Sequence, residues 1–136
     1  MKALSQFPLG AFLFAIGVLQ APAAGAIDLN GAWATEAGLC AKVFVKKGQD
    51  IAFAPLSDLY GSGLIIDNAH IRGKIARCSI KSRSEDGANL RIRAACATRI
   101  VVSQEEFSLK IIDAEGFTRT FTSVPGLEVT YRRCAL

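Results

Sequence analysis

Two runs of alternating character, 74–83 and 90–99, flank Ser84-Glu85-Asp86-Gly87-Ala88-Asn89, whose Asp-Gly pair is the turn chemistry of a β-hairpin. A three-residue loop at Asp86-Gly87-Ala88 sets Glu85 opposite Asn89. Counting outward in steps of two then brings Cys78 opposite Cys96, since each lies nine positions from Gly87. Turn chemistry and cysteine spacing thus specify one register independently of each other. Successive strand residues point to opposite faces, so that register places Cys78, Ile80, Leu90, Ile92, Ala94 and Cys96 on an apolar face. The other face carries Arg77, Lys81, Arg83, Arg91, Arg93 and Arg99.

The charge is local. Between Ala69 and Arg99, eight basic residues against Glu85 and Asp86 give +6, whereas the rest of 27–136 sets seven basic residues against ten acidic ones. The modest overall charge of +4 therefore conceals one basic surface. In the register above, Arg83 faces Arg91 and Lys81 faces Arg93, and like charges across a ladder destabilise it. Either an anionic partner relieves them, or carboxylates of a neighbouring strand (Glu105, Glu106, Asp113, Glu115) do.

Lys2, the apolar run Leu9–Leu19 and the small residues Ala24-Gly25-Ala26 read as an export signal over 1–26, cleaved near Ile27. The apolar run falls short of the roughly 20 residues that cross a bilayer. The mature chain, 27–136, suffices for one domain with one core. Four cysteines, Cys40, Cys78, Cys96 and Cys134, are an even number in an exported chain, and two disulfides are expected. Three pairings are open; the hairpin register favours Cys78–Cys96, which leaves Cys40–Cys134. No Cys-x-x-Cys pair supports a zinc site.

Short strands succeed one another: one entering at Trp33, a second over Cys40–Lys47, a third over Ile51–Ala54 ended by Pro55, and a fourth over Leu64–Ile66. The central hairpin supplies the fifth and sixth, with Ile100–Val102 extending the sixth or opening the next. Phe107–Ile111, Phe117–Thr122 and Glu128–Cys134 complete the set, and one helical turn is expected around Ser57–Tyr60. In the strand 117–122, Phe117, Arg119 and Phe121 share a face. Eight or nine strands without a helical period predict an all-β antiparallel meander, closed into a small barrel because an open sheet would leave two unprotected edges.

Gly31-Ala32-Trp33 at the head of the first strand, with Arg132 and Arg133 on the last, resembles the Gly-x-Trp and late-arginine pattern of lipocalins and related short barrels. The resemblance implies that an arginine, Arg132 in this alignment of motifs, stacks on Trp33 at the closed end by a cation–π contact. Small periplasmic metalloprotease inhibitors of Gram-negative bacteria are similar in size and also place a cysteine soon after this motif, as Cys40 is placed here. Those inhibitors act through an N-terminal tail and carry one disulfide; here about four residues precede Gly31 in the mature chain, and four cysteines are present.

Catalytic chemistry is not legible. His70 is the single histidine, and no motif gives it a partner. Gly61-Ser62-Gly63 lacks the lysine and helix of a phosphate loop and reads as turn chemistry. No enzyme, cofactor or metal is expected. The reading is a periplasmic or secreted monomer, a binding or inhibitory module that presents Arg77, Lys81, Arg83, Arg91 and Arg93 to an acidic protein, a polysaccharide or lipid head groups. Nucleic acid fits poorly, since no aromatic residues interleave with the basic ones. The alternatives are a carrier for a small apolar ligand, its cavity lined by Phe44, Phe53, Phe107 and Phe121, and an inhibitor of a protease or other hydrolase.

Overall fold

In the computed structural model the described residues are 27–136 and Gly17, so the export-signal reading of 1–26 lies outside them. The strands are β1 (Gly31–Ala34), β2 (Phe44–Lys47), β3 (Asp50–Phe53), β4 (Gly63–Ile66) and β5 (His70–Arg72), then β6 (Arg77–Asp86), β7 (Asn89–Ala97), β8 (Val102–Asp113), β9 (Gly116–Thr120) and β10 (Glu128–Arg133). Eight of them close an antiparallel barrel in the order β1-β10-β9-β8-β7-β6-β5-β4, with β4 pairing back onto β1. The predicted meander and its closure are both present. Among the described residues no helix is long and apolar enough to cross a membrane.

The remaining strands, β2 and β3, form a hairpin on the outside of the barrel. This explains two sequence runs that do not alternate, Ala32-Trp33-Ala34 and Leu64-Ile65-Ile66. Trp33, Leu64 and Ile66 point into the barrel, while Ala32, Ala34 and Ile65 pack outward against Val43 and Phe44. A strand buried on both faces has no polar side. Gly63 is where the layers touch most closely: a Cβ there would lie 2.6 Å from the Phe44 ring. Phe44 and Phe53 pack with ring centroids 5.2 Å apart and planes tilted by 43° in this outer layer, outside the barrel interior.

The expected strand over Cys40–Lys47 is corrected. Its first half, Cys40–Val43, is a single helical turn, α1, closed by the Phe44 N–H donating to the Cys40 carbonyl. The turn lets the chain leave β1 and cross the barrel's outer face. There Cys40 bonds to Cys134, which is held beside Ala32 by a 2.8 Å hydrogen bond from its N–H. The second disulfide, Cys78–Cys96, links β6 to β7 as the register required. In the chain-entropy model, loops of 94 and 18 residues make these bonds worth about 4–5 and about 3 kcal/mol.

The hairpin carrying that second bond differs from expectation in two ways that cancel. The loop has two residues, so Asp86 faces Asn89 and Glu85 faces Leu90. A bulge between Ile80 and Ser82 then absorbs Lys81, and the ladder resumes with Ile80 opposite Ala94 and Cys78 opposite Cys96. Val102 opens β8, since Thr98 to Val101 is a tight turn.

Trp33, Phe117 and Tyr131 fill the lower barrel, with ring centroids 4.8 and 5.3 Å apart. Small barrels fill with their own side chains, and here the closed end, where Arg133 covers Trp33, still keeps a cavity of about 590 Å³ bordered by Leu29, Ile66, Ile80, Arg83, Glu85 and Ile92. At that closed end lie residues 28–30 and the turns at 67–69, 87–88 and 114–115. At the open end lie the long β1–β4 crossover and the turns at 73–76, 98–101 and 121–127.

Candidate binding surfaces at the barrel ends

The closed end is held by an arginine, and it is Arg133. Arg133 stands opposite Trp33 in the β1–β10 register, its guanidinium 4.2 Å from the indole ring centroid. It donates to the carbonyls of Asn30 (2.6 Å), Asp28 and Ala114 (3.1 Å), while the Trp33 indole N–H donates to Leu29 O at 2.8 Å. Gly31 sits at φ +130°, and a Cβ there would meet the Arg133 guanidinium at 3.3 Å. The assignment of the stacking role to Arg132 is therefore corrected. Being one residue earlier, Arg132 points outward, packs over Gly116 and pairs with Asp113 at 3.5 Å.

The basic residues expected on one hairpin face are divided. Beyond the bulge the strand's phase is inverted, so Arg83, opposite the buried Ile92, turns into the cavity beside residues 27–30. There it pairs with Glu85 at 2.7 Å and donates to Ile27 O at 3.2 Å. Arg91 and Arg93 remain outside, opposite Ser84 and Ser82 rather than opposite Arg83 and Lys81. They share the carboxylate of Glu106 at 3.2 and 3.5 Å. The clash expected across the ladder is thus avoided by register and offset by β8. Lys81, in the bulge, and Arg77, at the start of β6, are exposed and in no ion pair among the described residues.

Arg77 belongs to a different group. Arg72, Lys74, Arg77 and Arg99 line a groove of about 370 Å³ between Phe53 and the 73–76 and 98–101 turns, and no carboxylate lines it. Lys74 is anchored by hydrogen bonds to Ala54 O (2.9 Å) and Ser57 Oγ (2.8 Å), with Asp58 at 3.9 Å, and Arg72 donates to Ile51 O. Only the excess charge between Ala69 and Arg99 hinted at this group. Its members come from β5, β6 and two turns, and no single-hairpin argument unites them.

Inside the open end, Arg119 points inward from β9. Its guanidinium lies between the Phe107 and Phe121 rings, 4.2 and 4.3 Å from their centroids, and its buried Nε has no hydrogen-bond partner among the described residues. Burial pushes its pKa below the usual value, opposed by Tyr131 and Glu105. It borders a cavity of about 240 Å³ that also touches Ile71, Phe107 and the Cys78–Cys96 bond.

His70, the single histidine, lies 3.3 Å from Asp67 at the closed end. The Asp67 carboxylate accepts from the N–H groups of Ala69 and His70, and these bonds, the first foremost, hold its pKa below 3.8. That is turn geometry. Among the described residues no cluster of three or more potential metal-ligating side chains occurs. No protein-family model, curated protein or solved structure matches this chain.

Proposed function

We propose that this domain is a non-catalytic binding module of the periplasm or cell exterior that engages an acidic partner through the open-end cations Arg72, Lys74, Arg77 and Arg99. One observation carries the reading: every ionisable residue lining that groove is basic, whereas the strand arginines Arg91 and Arg93 already share a carboxylate. Convergent cations that outnumber the carboxylates near them, here Asp58 at 3.9 Å from Lys74 and Asp67 beside Arg72 and Arg77, attract polyanions and speed their encounter. Two disulfides suit a compartment that does not reduce them. The binding role expected of the hairpin face thus moves to its open-end edge, with Arg77 common to both.

Retention on immobilised heparin tests this. The wild type is expected to elute at raised salt, and Arg77→Glu with Arg99→Glu to elute near the void. Arg91→Glu with Arg93→Glu should change elution far less. Equal elution of the first pair and the wild type would remove the proposal.

A second reading, a lipocalin-like carrier, is favoured by Arg119. An arginine between two aromatic rings beside a cavity suits the acidic head of a small amphiphile, and a volume near 240 Å³ admits only a short chain. Titration with decanoate, followed by tryptophan fluorescence, should saturate for the wild type and not for Arg119→Met. Inhibition by tail insertion has little support, because Asp28, Leu29 and Asn30 are fastened over the closed end by Arg133 and Trp33.

A further inference from the structure

The turns at 73–76 and 98–101 are neighbours, since Arg77 pairs with Ala97 where β6 and β7 begin and end. Each is pinned across its base, Gly73 N–H to Ala76 O at 2.8 Å and Thr98 N–H to Val101 O at 2.9 Å, and the Thr98 hydroxyl also accepts from the Val101 N–H. Firm turns of this kind usually present polar residues to water. Here their apices present Ile75 and Ile100, 81% and 92% exposed, with Val101 and Val102 beside them. Immediately behind each apex stands a cation, Lys74 next to Ile75 and Arg99 next to Ile100, with Arg72 and Arg77 completing the groove.

We infer that the open end docks on an anionic lipid surface, with Ile75, Ile100 and Val101 entering the head-group region and Lys74, Arg77 and Arg99 meeting lipid phosphates. This deepens the proposed function by naming the acidic partner, and it rests on that reading of the basic cluster. A soluble polyanion would satisfy the cations and leave the isoleucines in water. Exposed apolar side chains at the turn apices, each next along the chain to a cation, match the two layers of a lipid interface, acyl boundary and phosphate. Exposed aliphatic residues clustered at one place mark such contacts. Two carboxylates lie beside these cations, Asp58 at 3.9 Å from Lys74 and Asp67, which shares a small pocket with His70, Arg72 and Arg77, and neither lines the groove that Lys74, Arg77 and Arg99 share.

Sedimentation of the oxidised protein with phosphatidylcholine vesicles, and with the same vesicles containing a quarter phosphatidylglycerol, decides the matter. Binding is expected to the anionic vesicles and to weaken with salt. Ile75→Asp with Ile100→Asp should lower vesicle binding roughly tenfold or more while heparin retention persists, because each apex loses its apolar contact. Arg77→Glu with Arg99→Glu should lose both. All four positions are exposed, and unchanged thermal unfolding would confirm that the variants fold. If the wild type is retained on heparin but does not sediment with anionic vesicles, or if the aspartate pair sediments as the wild type does, the lipid assignment falls and the basic-cluster reading stands. Failure on both heparin and vesicles overturns both.

Discussion

The two ends of the barrel are made from the same kind of part, short connections between antiparallel strands, and they carry opposite side chains. At the closed end the turns read Asp67-Asn68-Ala69, Gly87-Ala88 after Asp86, and Ala114-Glu115 after Asp113, with no large apolar residue at any tip. Carboxylates fold back on the chain there, Asp28 to the Asn30 N–H, Asp67 to two N–H groups and Asp113 to Glu115. At the open end the tips carry Ile75, Ile100, Val101 and Val124, and the nearby charges at 72–77 and 99 are basic. One end commits its carboxylates to its own backbone, and the other presents apolar tips beside cations, of which Arg72 and Lys74 reach backbone carbonyls while Arg77 and Arg99 lie exposed. The difference separates the end whose contacts hold the fold from the end proposed above to bind.

That separation can be broken experimentally. Trp33→Ala should cost about 3–5 kcal/mol in urea unfolding, as removal of a fully buried aromatic does; a loss comparable to that from Ile75→Asp, expected within about 0.5 kcal/mol, would erase the distinction. Arg133→Met should cost about 2–3 kcal/mol, because it removes the indole stack and leaves three carbonyls without their donor. Arg132→Met, next along the chain, should stay within about 0.5 kcal/mol, since it breaks only a surface ion pair.

The comparison sharpens at the other interior arginine. Arg119→Met is expected to leave stability unchanged or raise it by about 1 kcal/mol, because it removes a desolvated cation with an orphaned Nε. A loss matching that of Arg133→Met would make Arg119 a structural residue and end the carrier reading. The smallest effect concerns pH. Asp67 has its pKa lowered on folding, so its contribution is fully present above 3.8 and fades as pH falls through the lower folded value. The group is largely exposed, and Asp67→Ala should therefore cost below about 1 kcal/mol at pH 7, with the difference closing in acid, as acid-unfolding curves would show.

Much of the fold was legible because the signals were local or geometrically coupled. The cysteine spacing around Gly87 implied a covalent bond that the ladder contains, and turn residues marked nearly every strand boundary. The outer β2–β3 layer was not legible. The alternation of Val43 and Val45 against Phe44 is that of a strand, and only the need to bring Cys40 to Cys134 bends its start into α1. The choice between Arg132 and Arg133 depended on which of two adjacent residues points inward, a matter of one step in register. For the candidate site, net charge indicated a basic region, but its members come from four elements whose proximity exists only once the barrel closes.

The bulge at Lys81 has one more consequence. Between it and the turn, residues 82–86 are written in a shifted frame relative to the chain below. Excising Lys81 would remove the bulge and leave the pairing intact: Ser82 would follow Ile80 directly, still opposite Arg93, and Arg83 would stay opposite Ile92 and face inward. The cross-link at Cys78 would stay in place. Unchanged tryptic cleavage after Arg83 would report the retained register, and the inserted residue would then be seen to add twist to the ribbon without choosing which side chains face inward.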